Sequence, residues 1–158
     1  MFQYTNLKRG VAIILLAISA KYALDSYFEY ERLNKVFPKD FFVTRPVDDK
    51  KIYLGFLGNV YDVSSGEKHY GPEGGYNFFA GKDATRAFAT GDFENDLNDN
   101  VEDFNGQQAK GILDWKTTYD TQYIWLGKLE GAFYDIDGNP TKVLEDLYKK
   151  VESQKEVK

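Results

Sequence analysis

The chain has 158 residues, a net charge of −5 and a hydrophobic fraction of 42%, which suffices for one folded domain with flanking segments. It has no cysteine, one histidine and one methionine, so disulfides, thiolate metal sites and bis-histidine metal ligation within the chain are excluded. The acidic balance leaves no basic stripe, which argues against a nucleic-acid partner.

The N-terminus combines a basic front with a short apolar run. Lys8 and Arg9 precede the apolar residues 10–20, and Lys21 ends the run. The run is shorter than the about 20 residues that span a bilayer, and its basic–apolar–small order is typical of a secretory signal peptide. We predict a signal peptide over 1–20 and a secreted or secretory-lumen location. The alternative is a short signal anchor that holds the protein N-terminally in an endomembrane.

The next segment leads into the predicted domain. Residues 21–37 are aromatic and charged and predict a helical linker that stops before Pro38. Residues 40–49 contain Pro46 and acidic side chains, which favour an irregular entry segment.

Two apolar runs predict a β-hairpin. Residues 52–57 and 60–63 are strand-like, and Gly58-Asn59 separates them. A two-residue loop with glycine supplies the positive φ that tight hairpin turns need. We therefore predict a hairpin whose turn is Gly58-Asn59.

A glycine-rich loop over 71–75 follows the hairpin. A short turn over 76–80 comes next, and Asp83 is placed to cap a helix that Gly91 ends.

The C-terminal half alternates helix, strand and helix. Residues 107–119 carry a helical stripe, and residues 123–129 predict a returning strand. Residues 131–158 predict a turn at 135–139 and an amphipathic helix that starts near Pro140. The mixture is α+β, with 38–130 as the central domain.

The residues around the glycine loop resemble those of the membrane-associated progesterone receptor family, whose domain is cytochrome b5-like. The resemblance covers roughly residues 38–150 and includes a secreted haem-binding branch of the family. The residues that carry it are Val60-Tyr61-Asp62-Val63-Ser64, Tyr70-Gly71-Pro72-Glu73, Phe79-Ala80-Gly81, Asp83-Ala84, Arg86-Ala87-Phe88, Thr90-Gly91-Asp92, Trp115, Tyr123 and Leu126-Gly127-Lys128.

The resemblance implies a small β-sheet with short helices around a haem cleft. The family's axial ligand to the iron falls on Tyr76, its hydrogen-bonding tyrosine on Tyr70, and a third pocket tyrosine on Tyr123. Some branches carry a lysine where this chain has Gln122, which removes an ion pair to a haem propionate but leaves an amide donor. The implied cofactor is ferric, five-coordinate haem b.

The chemistry of a phenol agrees with a ligand role for Tyr76. A bound metal cation lowers the pKa of a phenol from near 10, and tyrosinate is a known haem ligand. Two alternatives stay open. Each of the 12 tyrosines is more often a packing residue, and His69 is of the residue type that most often binds metals. His69 stands one position before Tyr70, where the family places no ligand.

The sequence therefore predicts a non-enzymatic haem-binding protein that acts as an extracellular or luminal signalling factor, in neuronal differentiation by family implication. The alternative is a membrane-associated redox or haem-delivery accessory to cytochrome P450-type enzymes, with a steroid as a further ligand. A protein-interaction module that has lost haem is the third hypothesis. A protein partner or a steroid at the open haem face is expected, and no nucleic acid.

Overall fold

The computed structural model describes residues 2–44 and 51–155 of the chain. Residues up to Asn34 form one compact unit, and residues from Lys35 onward form a second. The helices are α1 Phe2–Leu33, α2 Phe41–Thr44, α3 Glu67–Tyr70, α4 Thr85–Thr90, α5 Gly106–Gln122 and α6 Lys142–Lys155. The strands are β1 Val36–Phe37, β2 Tyr53–Phe56, β3 Asn59–Asp62 and β4 Ile124–Leu129.

The first unit is the single helix α1. It runs without a break through residue 20 and ends at Leu33, four residues earlier than the predicted linker helix. The Asn34 amide donates to the Tyr30 carbonyl at 2.8 Å, which satisfies one of the last carbonyls of the helix. Within the described ranges, no helix combines the length and apolarity needed to cross a membrane. The predicted signal peptide stays a prediction.

A four-stranded mixed sheet organises the second unit, in the order β1-β4-β3-β2. β2 and β3 are antiparallel, as are β3 and β4, whereas β1 lies parallel to β4. The register between β3 and β4 shifts between Val60 and Tyr61, as in a β-bulge. The sheet confirms the α+β class.

The hairpin turn lies one residue earlier than predicted. Phe56 pairs with Asn59, so Leu57 and Gly58 are the turn residues, with φ values of 49° and 63°. The reason is that Asn59 is buried and belongs to β3. Its amide donates to the Leu57 carbonyl at 2.8 Å, and its Oδ1 accepts from the Trp125 indole at 3.0 Å.

The structure corrects the predictions for residues 36–44. Val36 and Phe37, the end of the predicted helical linker, form a strand that pairs with Lys128 and Leu129. Phe41–Thr44, in the predicted irregular segment, form one helical turn. A two-residue strand carries no alternating pattern, so its partner β4 had to be known first. The rest of the predicted irregular segment, residues 45–49, lies outside the described residues.

The helices cover a core that the sheet supports. Buried side chains from the hairpin, α4, α5 and α6 form one cluster, including Phe56, Ala87, Ile112 and Leu147. α5 starts with a capping box in which Asn105 and Gln108 satisfy each other's backbone amides. α6 begins at Lys142, two residues after Pro140, because Pro140 makes a bridge to Tyr134 instead.

Candidate functional site

The glycine-rich loop after β3 folds back on itself. Its backbone is closed by hydrogen bonds from Gly71 N to Glu67 O at 2.7 Å and from Tyr76 N to His69 O at 2.9 Å. A Cβ on Gly74 would lie 2.2 Å from the His69 carbonyl oxygen, so only glycine fits there. The closure brings the end of α3 and Tyr76 to the same side of the domain.

Tyr76 lies at the edge of an aromatic surface. Its side chain is 47% exposed, and the ring centroids of His69, Phe79 and Phe93 lie 6.5, 6.2 and 6.5 Å from its own. Phe93 is itself 40% exposed. Tyr76 is thus exposed, and the apolar rings of Phe79 and Phe93 flank its ring.

Tyr70 lies deeper, at the end of α3. Its hydroxyl is 2.7 Å from the Tyr119 hydroxyl, and its ring meets Tyr123 edge-to-face at 5.9 Å. Gly66 lies beneath both rings, since a Cβ there would be 3.1 Å from the Tyr123 hydroxyl and 3.2 Å from the Tyr70 ring. Three phenols therefore meet behind the loop.

Burial raises the pKa of the Tyr70 phenol to about 12. The hydrogen bond from Tyr119 acts in the opposite direction, and the phenols of Tyr123 and Tyr76 raise this pKa further. Burial also raises the pKa of Tyr119 far above its ordinary value. Both phenols are therefore neutral hydrogen-bond donors at physiological pH.

The remaining predicted site residues differ in their surroundings. Tyr123 follows α5 directly and is half-buried, whereas Gln122, the last residue of α5, is exposed. His69 is exposed on α3, with its ring 6.3 Å from that of Tyr70. The structure thus brings Tyr70 and Tyr123 into contact and sets Tyr76 at the rim of the same loop. Gln122 lies at the surface.

Sequence reasoning missed the role of Tyr119 in this cluster. Tyr119 is the last residue of the helical stripe predicted over 107–119, and the structure buries it at 1% exposure. Tyr119 and Tyr123 stand four residues apart at the end of α5, a spacing that places side chains on one helix face. That spacing in the sequence indicates the contact between Tyr119 and Tyr123. No local sequence pattern indicates the contact between Tyr119 and Tyr70.

None of the three phenols lines the clefts described for this structure. One lies between α4 and α5, and its lining residue Phe88 stacks on Phe79 of the aromatic surface, with ring centroids 4.4 Å apart. Its lining residues are Phe88, Ala89, Asn105, Gln107, Gln108, Gly111 and Trp115. It contains no phenol, so the chemistry of an iron ligand points to the loop and not to this cleft.

The donor set of the loop fits a haem. The exposed Tyr76 stands beside the exposed ring of Phe93 and the buried ring of Phe79, which suits a planar apolar group with one metal bond. Behind it, the half-buried Tyr70 phenol, hydrogen-bonded to the buried Tyr119, can donate to an anionic oxygen. In the described part of the chain, no cluster of three or more histidine, cysteine or acidic side chains offers a rival metal site.

Residues 40–130 match the family model described as "Cytochrome b5-like Heme/Steroid binding domain". Neuferricin of Xenopus tropicalis is 53% identical over 102 residues, which cover 64% of this chain and 37% of that protein. Neuferricin of Danio rerio is 46% identical over 119 residues, covering 70% and 45%.

"Membrane-associated progesterone-binding protein 4" of Arabidopsis thaliana is 50% identical over 94 residues, covering 59% of this chain and 38% of that protein. A solved structure of a hypothetical Arabidopsis thaliana protein, described as having a cytochrome b5 like fold, aligns with a TM-score of 0.54 at 29% identity. It covers 63% of this chain and 94% of that one. The chain spans less than half the length of these three curated relatives.

Proposed function

The chain belongs to the cytochrome b5-like haem/steroid-binding domain family, and from this premise we propose that it binds ferric haem through the phenolate of Tyr76. The haem would be five-coordinate haem b, and the protein would act as a binding protein and not as an enzyme. The single observation that supports this most is the accessible Tyr76 phenol among aromatic rings, with Tyr70 and its hydrogen-bonded partner behind it.

The oxidation state follows from the ligand. A phenolate is a hard, anionic oxygen donor, so it stabilises Fe(III) more than Fe(II). When bound, haem would supply a Lewis-acidic iron centre, and the chain would supply the phenolate and its surroundings. Tyr70 would donate a hydrogen bond near the ligand oxygen. Tyr123 would line the site, and the exposed Gln122 amide would be a donor for a propionate.

The proposed biological role follows the neuferricin relatives. It is that of a secreted or luminal signalling factor, in neuronal differentiation by family implication. The basic residues and the apolar run at the N-terminus support entry into the secretory pathway, by a cleaved signal peptide or as a signal anchor. Detection of the protein in culture medium, with its N-terminus sequenced, tests this proposal. Retention in the membrane fraction would favour the anchor.

A second candidate role is delivery of electrons or haem to a membrane enzyme of the cytochrome P450 type. The 47% exposure of Tyr76 favours it, because an accessible ligand face lets a partner approach the haem. Phenolate ligation disfavours fast one-electron cycling, so we rank this role second. A steroid at the same open face is a further ligand of this proposal, in keeping with the family's description.

We expect that Tyr76→Phe removes the high-spin ferric tyrosinate signature and weakens haem binding at least about tenfold, or about 1.4 kcal/mol. The cause is loss of the oxygen that bonds iron while the ring is kept. The measurement is a haem titration of the full chain, read by absorbance and electron paramagnetic resonance.

Tyr148→Phe is the matched control, because Tyr148 is 40% exposed and lies on α6. This variant should bind haem as the wild type does. Binding that survives Tyr76→Phe but is lost in His69→Ala would identify His69 as the ligand instead. A wild-type chain that binds no haem would leave a cytochrome b5-like scaffold that works through its surface.

A further inference from the structure

A second tyrosine hydroxyl lies directly behind Tyr70. Tyr119 is 1% exposed on α5, and its ring stacks on Phe56 at 5.2 Å with an interplanar angle of 11°. The ring of Phe88 meets it edge-to-face at 5.8 Å. The Tyr119 side chain is thus held on two sides by core rings, and its hydroxyl position is set by packing.

The direction of the Tyr119–Tyr70 hydrogen bond follows from burial. A buried hydroxyl needs an acceptor for its hydrogen, because leaving it unpaired costs about 1–3 kcal/mol. Among the residues that the structure describes, the hydrogen bond of the Tyr119 hydroxyl is to Tyr70, at 2.7 Å. The neighbouring buried phenol of Tyr61 donates to Asp120 at 2.6 Å instead. Tyr119 therefore donates, and the Tyr70 oxygen accepts.

Accepting this bond determines where Tyr70 can donate. Its own hydrogen must point away from Tyr119, where the Tyr123 hydroxyl is a second hydrogen-bond partner. Tyr76 is also near: it raises the pKa of Tyr70 electrostatically, and both phenol rings flank the His69 ring, at 6.3 and 6.5 Å. A Tyr76 phenolate would be a stronger acceptor of this hydrogen than the neutral Tyr123 hydroxyl, because hydrogen bonds to an ionised oxygen are the stronger ones. A hydroxyl that accepts a hydrogen bond also becomes a stronger donor, because the two bonds polarise one another.

We propose that Tyr119 is a positioning residue of the haem site, which orients and strengthens the Tyr70 hydroxyl as a donor to the ligand oxygen of Tyr76. This inference rests on the proposed function. A stronger donor withdraws electron density from the phenolate, so the preference of the site for ferric over ferrous iron is smaller with Tyr119 present. Partners of a ligand tune a metal in this way elsewhere.

The test compares the full-length haem-loaded wild type with Tyr119→Phe, Tyr70→Phe and the double variant. We expect Tyr119→Phe to keep stoichiometric haem and to shift the reduction potential to more negative values. The ferric preference should grow about two- to tenfold, the equivalent of one neutral hydrogen bond. The phenolate-to-iron charge-transfer band, read by absorbance, should shift as well. In the Tyr70→Phe background, adding Tyr119→Phe should change neither readout, because the Tyr70 hydroxyl through which Tyr119 acts is already absent.

Tyr61→Phe is the matched control. It removes another buried phenol hydroxyl that bonds to α5, but this hydroxyl donates to Asp120 and not to Tyr70. It should leave both the potential and the absorption band as in the wild type. Thermal unfolding of every variant separates a change at the iron from a loss of fold. Tyr119→Phe leaves no buried hydroxyl without a partner, because Tyr70 is half-buried and reaches solvent.

The failure of this inference is distinguishable from that of the proposed function. If the wild type shows a ferric tyrosinate signature but Tyr119→Phe changes neither potential nor band, Tyr70 directs its hydrogen elsewhere and the inference is wrong. The same holds if Tyr61→Phe shifts both readouts equally, or if the effect of Tyr119→Phe persists without Tyr70. If the wild type binds no haem, the proposed function itself fails, and this inference with it.

Discussion

Single side chains decide both the chemistry of the loop and the anchoring of the hairpin. Asp83 is the clearest case outside the site. Its carboxylate accepts from Gly58 N at 2.7 Å and from the Thr85 hydroxyl at 2.6 Å, and the same hydroxyl accepts from Leu57 N at 2.7 Å. One carboxylate thus ties the hairpin turn, which has two positive φ values, to the start of α4.

Asp83 should make stability depend on pH. Burial raises the pKa of its carboxyl from 3.8 to about 6, although the hydrogen bonds from Thr85 and Gly58 act in the opposite direction. Between pH 3.8 and about pH 6, the Asp83 carboxyl keeps its proton in the folded state but has released it in the unfolded state. The contribution of Asp83 to the free energy of unfolding is therefore present below about pH 4 and lost as pH rises through 6, by about 1–3 kcal/mol.

Denaturant unfolding at several pH values between 4 and 7, for wild type and Asp83→Asn, measures this contribution. The variant should gain stability relative to wild type as pH rises, because an amide does not ionise. Asp137→Asn, in an exposed turn, is the control and should follow the wild type. A constant difference between wild type and Asp83→Asn across this range would show that Asp83 does not titrate there.

At the scale of elements, the edge of the sheet is covered by the chain that returns from the glycine loop. Gly81 N donates to Tyr53 O at 2.8 Å, and Gly55 N donates to Lys82 O at 2.9 Å. The returning segment thereby protects the outer side of β2, which would otherwise be an open edge. It also sets the start of α4, and with it the position of Phe88 beside the aromatic surface.

Gly55→Ala should destabilise the fold by about 1–3 kcal/mol, because overpacking moves backbone. A Cβ at this position would lie 2.8 Å from the Asp83 Cβ and 2.9 Å from its Cα. The measurement is the midpoint of denaturant unfolding. Gly131→Ala is the control: a Cβ there meets nothing within 4 Å, so its midpoint should stay near that of wild type. Equal midpoints for both variants would mean that the strand and the returning segment separate easily.

For the whole molecule, the core of the second unit extends from the hairpin to α6. Leu144 and Leu147 of α6 are buried in the same cluster as Leu54 of β2, so the predicted C-terminal segment 131–158 packs on the core of the predicted 38–130 domain. At the other end, β1 extends the sheet: Lys128 N donates to Lys35 O and Glu130 N to Phe37 O, both at 2.9 Å. Residues from Lys35 onward therefore complete this unit.

A chain that begins at Lys35 should keep the thermal midpoint of the full-length domain transition. A chain that begins at Pro38, the predicted domain start, should melt several degrees lower. It loses the two residue pairs of β1 with β4 and exposes one side of β4. Circular dichroism melts of both chains check this. Equal midpoints would mean that β1 contributes nothing to stability.

Much of the fold and part of the candidate site could be predicted from the sequence. The family and the cytochrome b5-like α+β fold are confirmed by the matches to residues 40–130 and to the Arabidopsis structure. Gly91 ends α4 with φ 72°, as predicted, because a left-handed position favours glycine. The roles of Tyr70, Tyr76, Gln122 and Tyr123 stay predictions that the titrations test.

Local chemistry is what the sequence by itself determined: which ligand types the chain lacks, where glycines permit turns, and which tyrosines lie near the loop. Tertiary structure alone decided that Leu57, and not Asn59, is in the hairpin turn, and that Val36 and Phe37 pair with β4. It also decided that Tyr119 meets Tyr70, 49 residues earlier in the chain. The physical reason is that such contacts depend on how distant elements pack against a shared core, and no local pattern encodes that packing.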